Sequence, residues 1–338
     1  MKKSYIAMTL AVILAVIMAL PLGCGESGEL TKVRLNEVTH SVFYAPLYVA
    51  MEMGFFTEEG IELEYSTGQG ADKVMTALLS GQADIAFAGP EATIYVYNEG
   101  QDDYAVNFAQ LTQCDGSFLV AREPDPDFTW EKVRGKSIIG GRPGGIPLMT
   151  LEYVLKNKGL MPGEDVEVLT HIQFALMAGA FTGGEGDYVT LFEPVAATLE
   201  KEGSGFVVAS IGQESGRVPY TVFSARKSYM EKNPDIIQSF TNAIYRAQLW
   251  VQEHSPEEIA EVIAPSFPEV ELDILTAVAA RYKEIDAWAH SPVFTEESFA
   301  RLQDIMELAG ELEQRAPYEK LVTNAFAEEA IQTIQSGS

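Results

Sequence analysis

GQGADKVMTALLSGQADIAFAGPE, residues 68–91, decides the architecture. Gly70–Leu79 reads as a helix that stops near Gly81. Asp84–Ala88 is a compact strand, and Pro90 can open the next helix because its missing N–H would be free there anyway. The same order runs outward on both sides. Val33–Val38 is a strand, Thr39 to Pro46 is a turn-like lead into a short helix ending near Gly54, and Ile61–Tyr65 alternates as a strand. Ala105–Leu111 is the next strand. This repeated strand–helix order predicts an α/β fold with a mostly parallel sheet and helices on its faces.

A second unit begins around Phe118. Pro124, Asp125, Pro126 and Asp127 make a surface turn, and Ser137–Gly140 is strand-like and runs into GGRPGGIP, residues 140–147. Leu148, Leu151, Val154 and Leu155 share one helical face, and Gly159 marks its end. Val166–Leu169 (strand), Phe174–Phe181 (helix), Asp187–Phe192 (strand), Glu193–Glu202 (helix opened by Pro194) and Phe206–Ser210 (strand) follow. Beyond Gly216 the chain is mainly helical from Lys227 onward, punctuated by Asn233-Pro234, Ser255-Pro256 and Ser291-Pro292. The expected division is a leader at 1–23, the first part of lobe 1 at 30–117, lobe 2 at 118–214, and the return to lobe 1 with C-terminal helices at 215–338. The crossings fall near 112–120 and 214–222. A hinge with a ligand cleft between two lobes fits this order, because open α/β sheets bind ligands at the carboxyl ends of their strands. Two fixed domains without a hinge are the alternative.

Lys2 and Lys3 precede the run MTLAVILAVIMALPLGC, residues 8–24. It resembles a bacterial lipoprotein signal, cut before Cys24, whose new N-terminus is then lipidated. Pro21 and Leu22 depart slightly from the usual pattern. An uncleaved anchor is the other reading, but the apolar core is shorter than the roughly 20 residues a bilayer span needs. The polar stretch GESGEL also follows at once. The leader holds two lysines and no acid, so the chain from Cys24 carries 21 basic and 49 acidic residues and a formal charge of −28. Nucleic acid would repel such a chain. A hydrophobic content of 47% argues for a packed core rather than disorder. With Cys24 lipidated, Cys114 has no intramolecular partner, so no disulfide framework is expected. His40, His171, His254 and His290 show no metal-binding spacing, and no cofactor is implied. A GxxxxGK[ST] phosphate loop is missing, so ATP hydrolysis would belong to another subunit.

HSVFYAPLYVAMEMGFFTEEG, residues 40–60, resembles the opening of solute-binding proteins of the NMT1/THI5-like group, and residues 68–91 resemble the next family block. That group includes binding proteins for thiamine pyrimidine precursors and is related to those for sulfonates, nitrate and taurine. The resemblance implies a type II periplasmic-binding-protein-like fold, two lobes that close around a small-molecule solute and dock on an ABC permease with a separate ATPase subunit. It implies an extracytoplasmic protein, lipid-anchored to the cell membrane through Cys24, or on the periplasmic side where an outer membrane is present. A monomer is expected, and no enzyme activity.

Loops after the strands supply the candidate contacts. His40, Ser41, Phe43 and Tyr44 follow the first strand, where an aromatic can stack on a planar ring and His40 or Ser41 can fix a polar edge, or the rings can simply pack under the loop. Gln69 and Gly70 follow the second strand; Gly89, Pro90 and Glu91 follow the third. Glu91 can accept from a ligand amine or merely favour the helix dipole. Asp115 can bind an amine or hold the crossing in an Asx turn. Cys114 beside it reads as a buried, inert thiol. In GGRPGGIP, Gly144 and its neighbours place backbone donors at a helix start, and Arg142 adds a positive fork, which would suit a carboxylate, sulfonate or phosphate. Phe192 and Glu193 follow a strand where the resembling family closes its pocket, and Tyr220 lies near the return crossing. The leading ligand is an aromatic nitrogen heterocycle resembling an aminopyrimidine. A sulfonate or other small organic anion is the alternative, and a pyrimidine-precursor enzyme is the remoter one.

Overall fold

Alternation in Thr31–Glu37 (β1) buries Val33 and Leu35, and from Leu35 onward the strand is covered on both faces. Such a strand sits in the middle of a sheet. β1 pairs in parallel with Ile61–Thr67 (β2) on one side and with Ile85–Ala88 (β3) on the other. Parallel neighbours need crossovers. The helices Ala45–Glu52 and Phe55–Glu58 make the first, and Ala71–Leu79 the second. That second helix buries Val74, Met75 and Leu78 on one stripe and stops at Gly81, whose φ of 74° favours glycine. The computed structural model describes residues 29–336. The expected leader 1–23 and the lipidated Cys24 lie outside the described residues.

The remaining strands are Ala105–Thr112 (β4), Ser117–Ala121 (β5), Ser137–Ile139 (β6), Glu167–Leu169 (β7), Tyr188–Phe192 (β8), Phe206–Ser210 (β9) and Thr221–Arg226 (β10). Among the described residues they complete two five-stranded sheets, ordered β2-β1-β3-β10-β4 and β7-β6-β8-β5-β9, one in each lobe. Each sheet is mostly parallel, with four strands running one way and a single strand against them. β10 runs antiparallel between β3 and β4, and β5 runs antiparallel between β8 and β9. Neither strand alternates in burial, so the local sequence pattern does not reveal it. Each is the strand entered just after a crossing, so each lobe's sheet is locked in its interior by chain arriving from the other lobe.

The largest apolar core lies around the first sheet and the C-terminal helices, and it extends through Phe118, Ile146, Met149 and Phe192 into the junction of the lobes. Two smaller clusters cover the faces of the second sheet. The twenty-residue helix Pro234–Glu253 packs against Ala45–Glu52 and Ala325–Ser336. Two later helices touch both lobes. From Leu272–Glu284, Arg281 pairs with Glu193 and Glu200. The helix Glu296–Ala309 packs against Ile146–Asn157, where Lys156 Nζ donates to the Leu308 carbonyl at 2.7 Å.

Phe223 of β10 is fully buried, with its ring centroid 4.4 Å from Phe87 and 5.0 Å from Phe240. Phe223→Ala is expected to cost about 3–5 kcal/mol in urea unfolding, as deep aromatic truncations do. A loss below about 1 kcal/mol would show that β10 does not centre this core.

Candidate functional site

At the end of β1 the chain turns into a short helical turn, Val42–Tyr44, capped by Ser41, whose Oγ accepts from the Phe43 N–H at 3.2 Å. The same Oγ donates to the Glu193 carbonyl of the second lobe at 2.6 Å. This turn carries Phe43 into an aromatic cluster. Its ring centroid lies 5.2 Å from Tyr282, 5.6 Å from Tyr220, 5.7 Å from Phe192 and 5.3 Å from Tyr44. Tyr44 in turn meets Phe87 edge-on at 4.6 Å. A Cβ on Gly116 would lie 2.4 Å from the Phe43 ring, so glycine there lets the ring lie against the crossing.

Acids surround these rings. Asp115 is fully buried in the first crossing; it accepts from the Ser117 N–H at 2.7 Å, from Ser117 Oγ at 2.6 Å and from Thr150 Oγ1. Burial nevertheless pushes its pKa up to about 6, against those donors. Tyr220 faces Asp115; burial, with the charge and hydrogen-bonding reach of Asp115, raises its phenol pKa, although the hydroxyl makes no hydrogen bond of good geometry. Glu91 opens the helix Glu91–Asn98 and is also buried. Burial pushes its pKa up to about 7, opposed by its own peptide N–H, by that of Ile146 and by Arg142. Its Oε2 is buried with no hydrogen-bond partner. Glu193, raised by burial and held back by Arg281, also accepts from the Ala197 N–H at 2.8 Å.

The structure thus brings together Ser41, Phe43, Tyr44, Gly89, Glu91, Asp115, Phe192, Glu193 and Tyr220. The remaining sequence candidates sit differently. His40 bonds Glu37 at 3.1 Å and the Ser266 carbonyl at 2.8 Å, and stacks on Phe267, outside the cluster. Gln69 is exposed, with a left-handed φ of 59°. Arg142 forms a half-exposed pair with Asp72 of the first lobe at 3.2 Å. Gly144 donates its N–H to Glu311 at 3.1 Å and accepts from the Tyr95 hydroxyl at 3.1 Å. These two therefore bridge the rim between lobes.

Sequence reasoning missed Thr150, Tyr95, Tyr282 and Arg281. Thr150 and Tyr95 lie four residues beyond Ile146 and Glu91 on their helices, so helical periodicity from each loop could have found them. Tyr282 and Arg281 come from a distant helix and carry no local signal. Cys114 is buried, with its thiol pKa raised by burial and its Sγ directed to the Ile285 carbonyl, so it is a poor nucleophile. What the cluster offers is apolar walls with acceptors in need of donors.

Because burial raises the folded-state pKa of Glu91 from 4.5 to about 7, its contribution to stability is complete below about pH 4.5. That contribution is lost as pH rises through about 7. Glu91→Gln removes the titration. Its melting temperature should gain on the wild type progressively between those limits and hold a constant margin above, for a shift on the order of 3 kcal/mol. An equal margin at every pH would contradict the burial of this carboxyl.

Residues 27–264 match the model of the NMT1-like family. Over 305 residues the chain is 47% identical to YtlA of Bacillus subtilis (strain 168), a protein named only for binding; the match spans 90% of this chain and 91% of that one. A solved structure from Bordetella bronchiseptica RB50 is similar at a TM-score of 0.72 and 23% identity, over 91% of this chain and 99% of the other. The alkanesulfonate-binding protein SsuA of Xanthomonas axonopodis pv. citri, bound to MOPS, is similar at a TM-score of 0.70 and 16% identity, over 88% and 100%. These structural likenesses carry the two-lobed fold. The chain belongs to the NMT1-like family of solute-binding proteins.

Proposed function

We propose that this protein captures an aromatic nitrogen heterocycle, resembling a thiamine pyrimidine precursor, for an ABC permease with its own ATPase subunit. The observation that carries the reading is Glu91 Oε2, buried without a hydrogen-bond partner beside the aromatic rings, with the Tyr220 hydroxyl facing Asp115 nearby. Leaving such a group unsatisfied costs about 1–3 kcal/mol. A planar solute with ring N–H or amino groups supplies the missing donors and an apolar face for the rings. Phe43 and Tyr44 are the proposed ring platform, with Glu91 and Asp115 reading its polar edge. The lobes at 30–117 plus 215–338 and at 118–214 would close on it about the two crossings.

A small sulfonate or other organic anion is the second reading. Arg142, the glycine loop 140–147 and the name of the alkanesulfonate-binding neighbour favour it. Against it, Arg142 is already paired with Asp72. The protein is proposed to act outside the cytoplasm, anchored by acyl chains on Cys24.

Isothermal calorimetry against 4-aminopyrimidines, flavins and aliphatic sulfonates tests the ligand class. Heat of binding from an aminopyrimidine with none from ethanesulfonate is expected. Tight sulfonate binding with no response to either heterocycle sinks the reading. Intact-mass measurement of protein from the native membrane should find a chain starting at acylated Cys24; a retained apolar leader would overturn the anchor.

A further inference from the structure

Among the bonds that join the lobes, two groups differ in their access to water. The first surrounds the glycine loop 140–147. Arg142 pairs with Asp72 at 3.2 Å, and the two side chains are 47% and 63% exposed. The Gly144 N–H donates to Glu311 Oε1 at 3.1 Å, and the Gly144 carbonyl accepts from the Tyr95 hydroxyl at 3.1 Å. Gly144 holds a φ of 72°, which favours glycine. Two first-lobe carboxylates thus occupy the arginine and the backbone donor of this loop. The neighbouring tie from Lys156 to the Leu308 carbonyl is exposed as well.

The second group is buried beside the crossings. The Tyr282 hydroxyl donates to the Gly116 carbonyl at 3.0 Å and accepts from the Glu193 N–H at 3.1 Å. Ser41 Oγ donates to the Glu193 carbonyl at 2.6 Å. Ser41, Glu193 and Tyr282 are all buried. Arg281, next to Tyr282, pairs with Glu193 and Glu200.

The two groups cost different amounts to separate. A surface bond trades its partner for water, and an exposed ion pair adds little and is screened by salt. A buried donor that loses its acceptor stays unsatisfied, which costs more. Position points the same way. Gly116 lies in a crossing, where a rotation moves atoms least. Asp72 lies just beyond β2, the edge of its sheet opposite β4, and β4 is the strand that leads into the crossing.

We infer that the glycine loop is a releasable catch and Tyr282 the pivot: the lobes part by breaking the Arg142–Asp72 and Gly144–Glu311 bonds at the rim, while the bonds of Tyr282 to Gly116 and Glu193 stay made. The inference rests on the lobes closing about the two crossings, and it does not depend on the identity of the solute.

Residue-resolved hydrogen exchange of the solute-free protein reads two amides directly, Gly144 held by Glu311 and Glu193 held by Tyr282. Wild type, Asp72→Asn and Arg142→Gln are compared at about 20 mM and about 500 mM sodium chloride, with melting curves to establish folding. Either variant at low salt, and the wild type at high salt, is expected to exchange Gly144 about two- to fivefold faster, with the Glu193 rate unchanged. The double variant Asp72→Asn/Glu311→Gln is expected to scatter X-rays with a larger radius of gyration than the wild type. A Gly144 rate unchanged in both single variants overturns the catch. Faster Gly144 exchange with no larger radius in the double variant marks loosening of the loop alone and overturns it too. Equal acceleration of Glu193 and Gly144 overturns the pivot. None of these failures touches the solute reading, which calorimetry of the unmodified protein decides.

Discussion

A carboxylate taken out of water must find donors or give up its charge. Glu37, Glu91, Asp115 and Glu193 are all buried, and the protein treats them unequally. Glu37 accepts from the Tyr48 hydroxyl and Thr67 Oγ1, each at 2.8 Å, with His40 beside it. Glu193 has Arg281 and the Ala197 N–H. Asp115 has Ser117 and Thr150. Glu91 alone among these four keeps a buried oxygen without a donor. The first two acids hold structure together. The last two have pKa values raised toward neutrality and stand beside the aromatic cluster, the place proposed for the solute.

These groups keep their places because the crossings between lobes are tied to one another. The Thr112 and Thr221 hydroxyls bond, and the Val218 and Tyr220 N–H groups donate to Gln113 and Thr112 carbonyls at 3.0 and 3.3 Å. Tyr282 adds a third strand of connection. Its hydroxyl donates to the Gly116 carbonyl at 3.0 Å and accepts from the Glu193 N–H at 3.1 Å. One phenol from a C-terminal helix thus joins the outgoing crossing to the loop after β8. Any rotation of one lobe against the other must pass through this group of bonds, and the rings of Phe43, Phe192 and Tyr220 lie directly beside it.

The parts of the fold legible in the sequence are those that local periodicity and glycine stops determine. The strands around Val33, Ile61 and Ile85, and the helix ending at Gly81, have that character. β10 and β5 were not legible. Both are covered on both faces, so neither alternates, and both owe their position to antiparallel partners distant in sequence. The site divides along the same line. Phe43, Glu91, Asp115, Glu193 and Tyr220 could be named because they follow strands or lie at crossings. The pairing of Arg142 with Asp72, and the reach of Tyr282 across the junction, depend on the approach of two lobes, which no local pattern encodes.

The solute proposed for the junction donates hydrogen bonds and carries no net negative charge. Purification of the protein from its native cells under mild conditions, followed by mass spectrometry of the released small molecule, is the deciding measurement. The expected molecule is a planar nitrogen heterocycle bearing N–H or amino groups. Recovery of a sulfonate or carboxylate anion in stoichiometric amount would contradict the proposal.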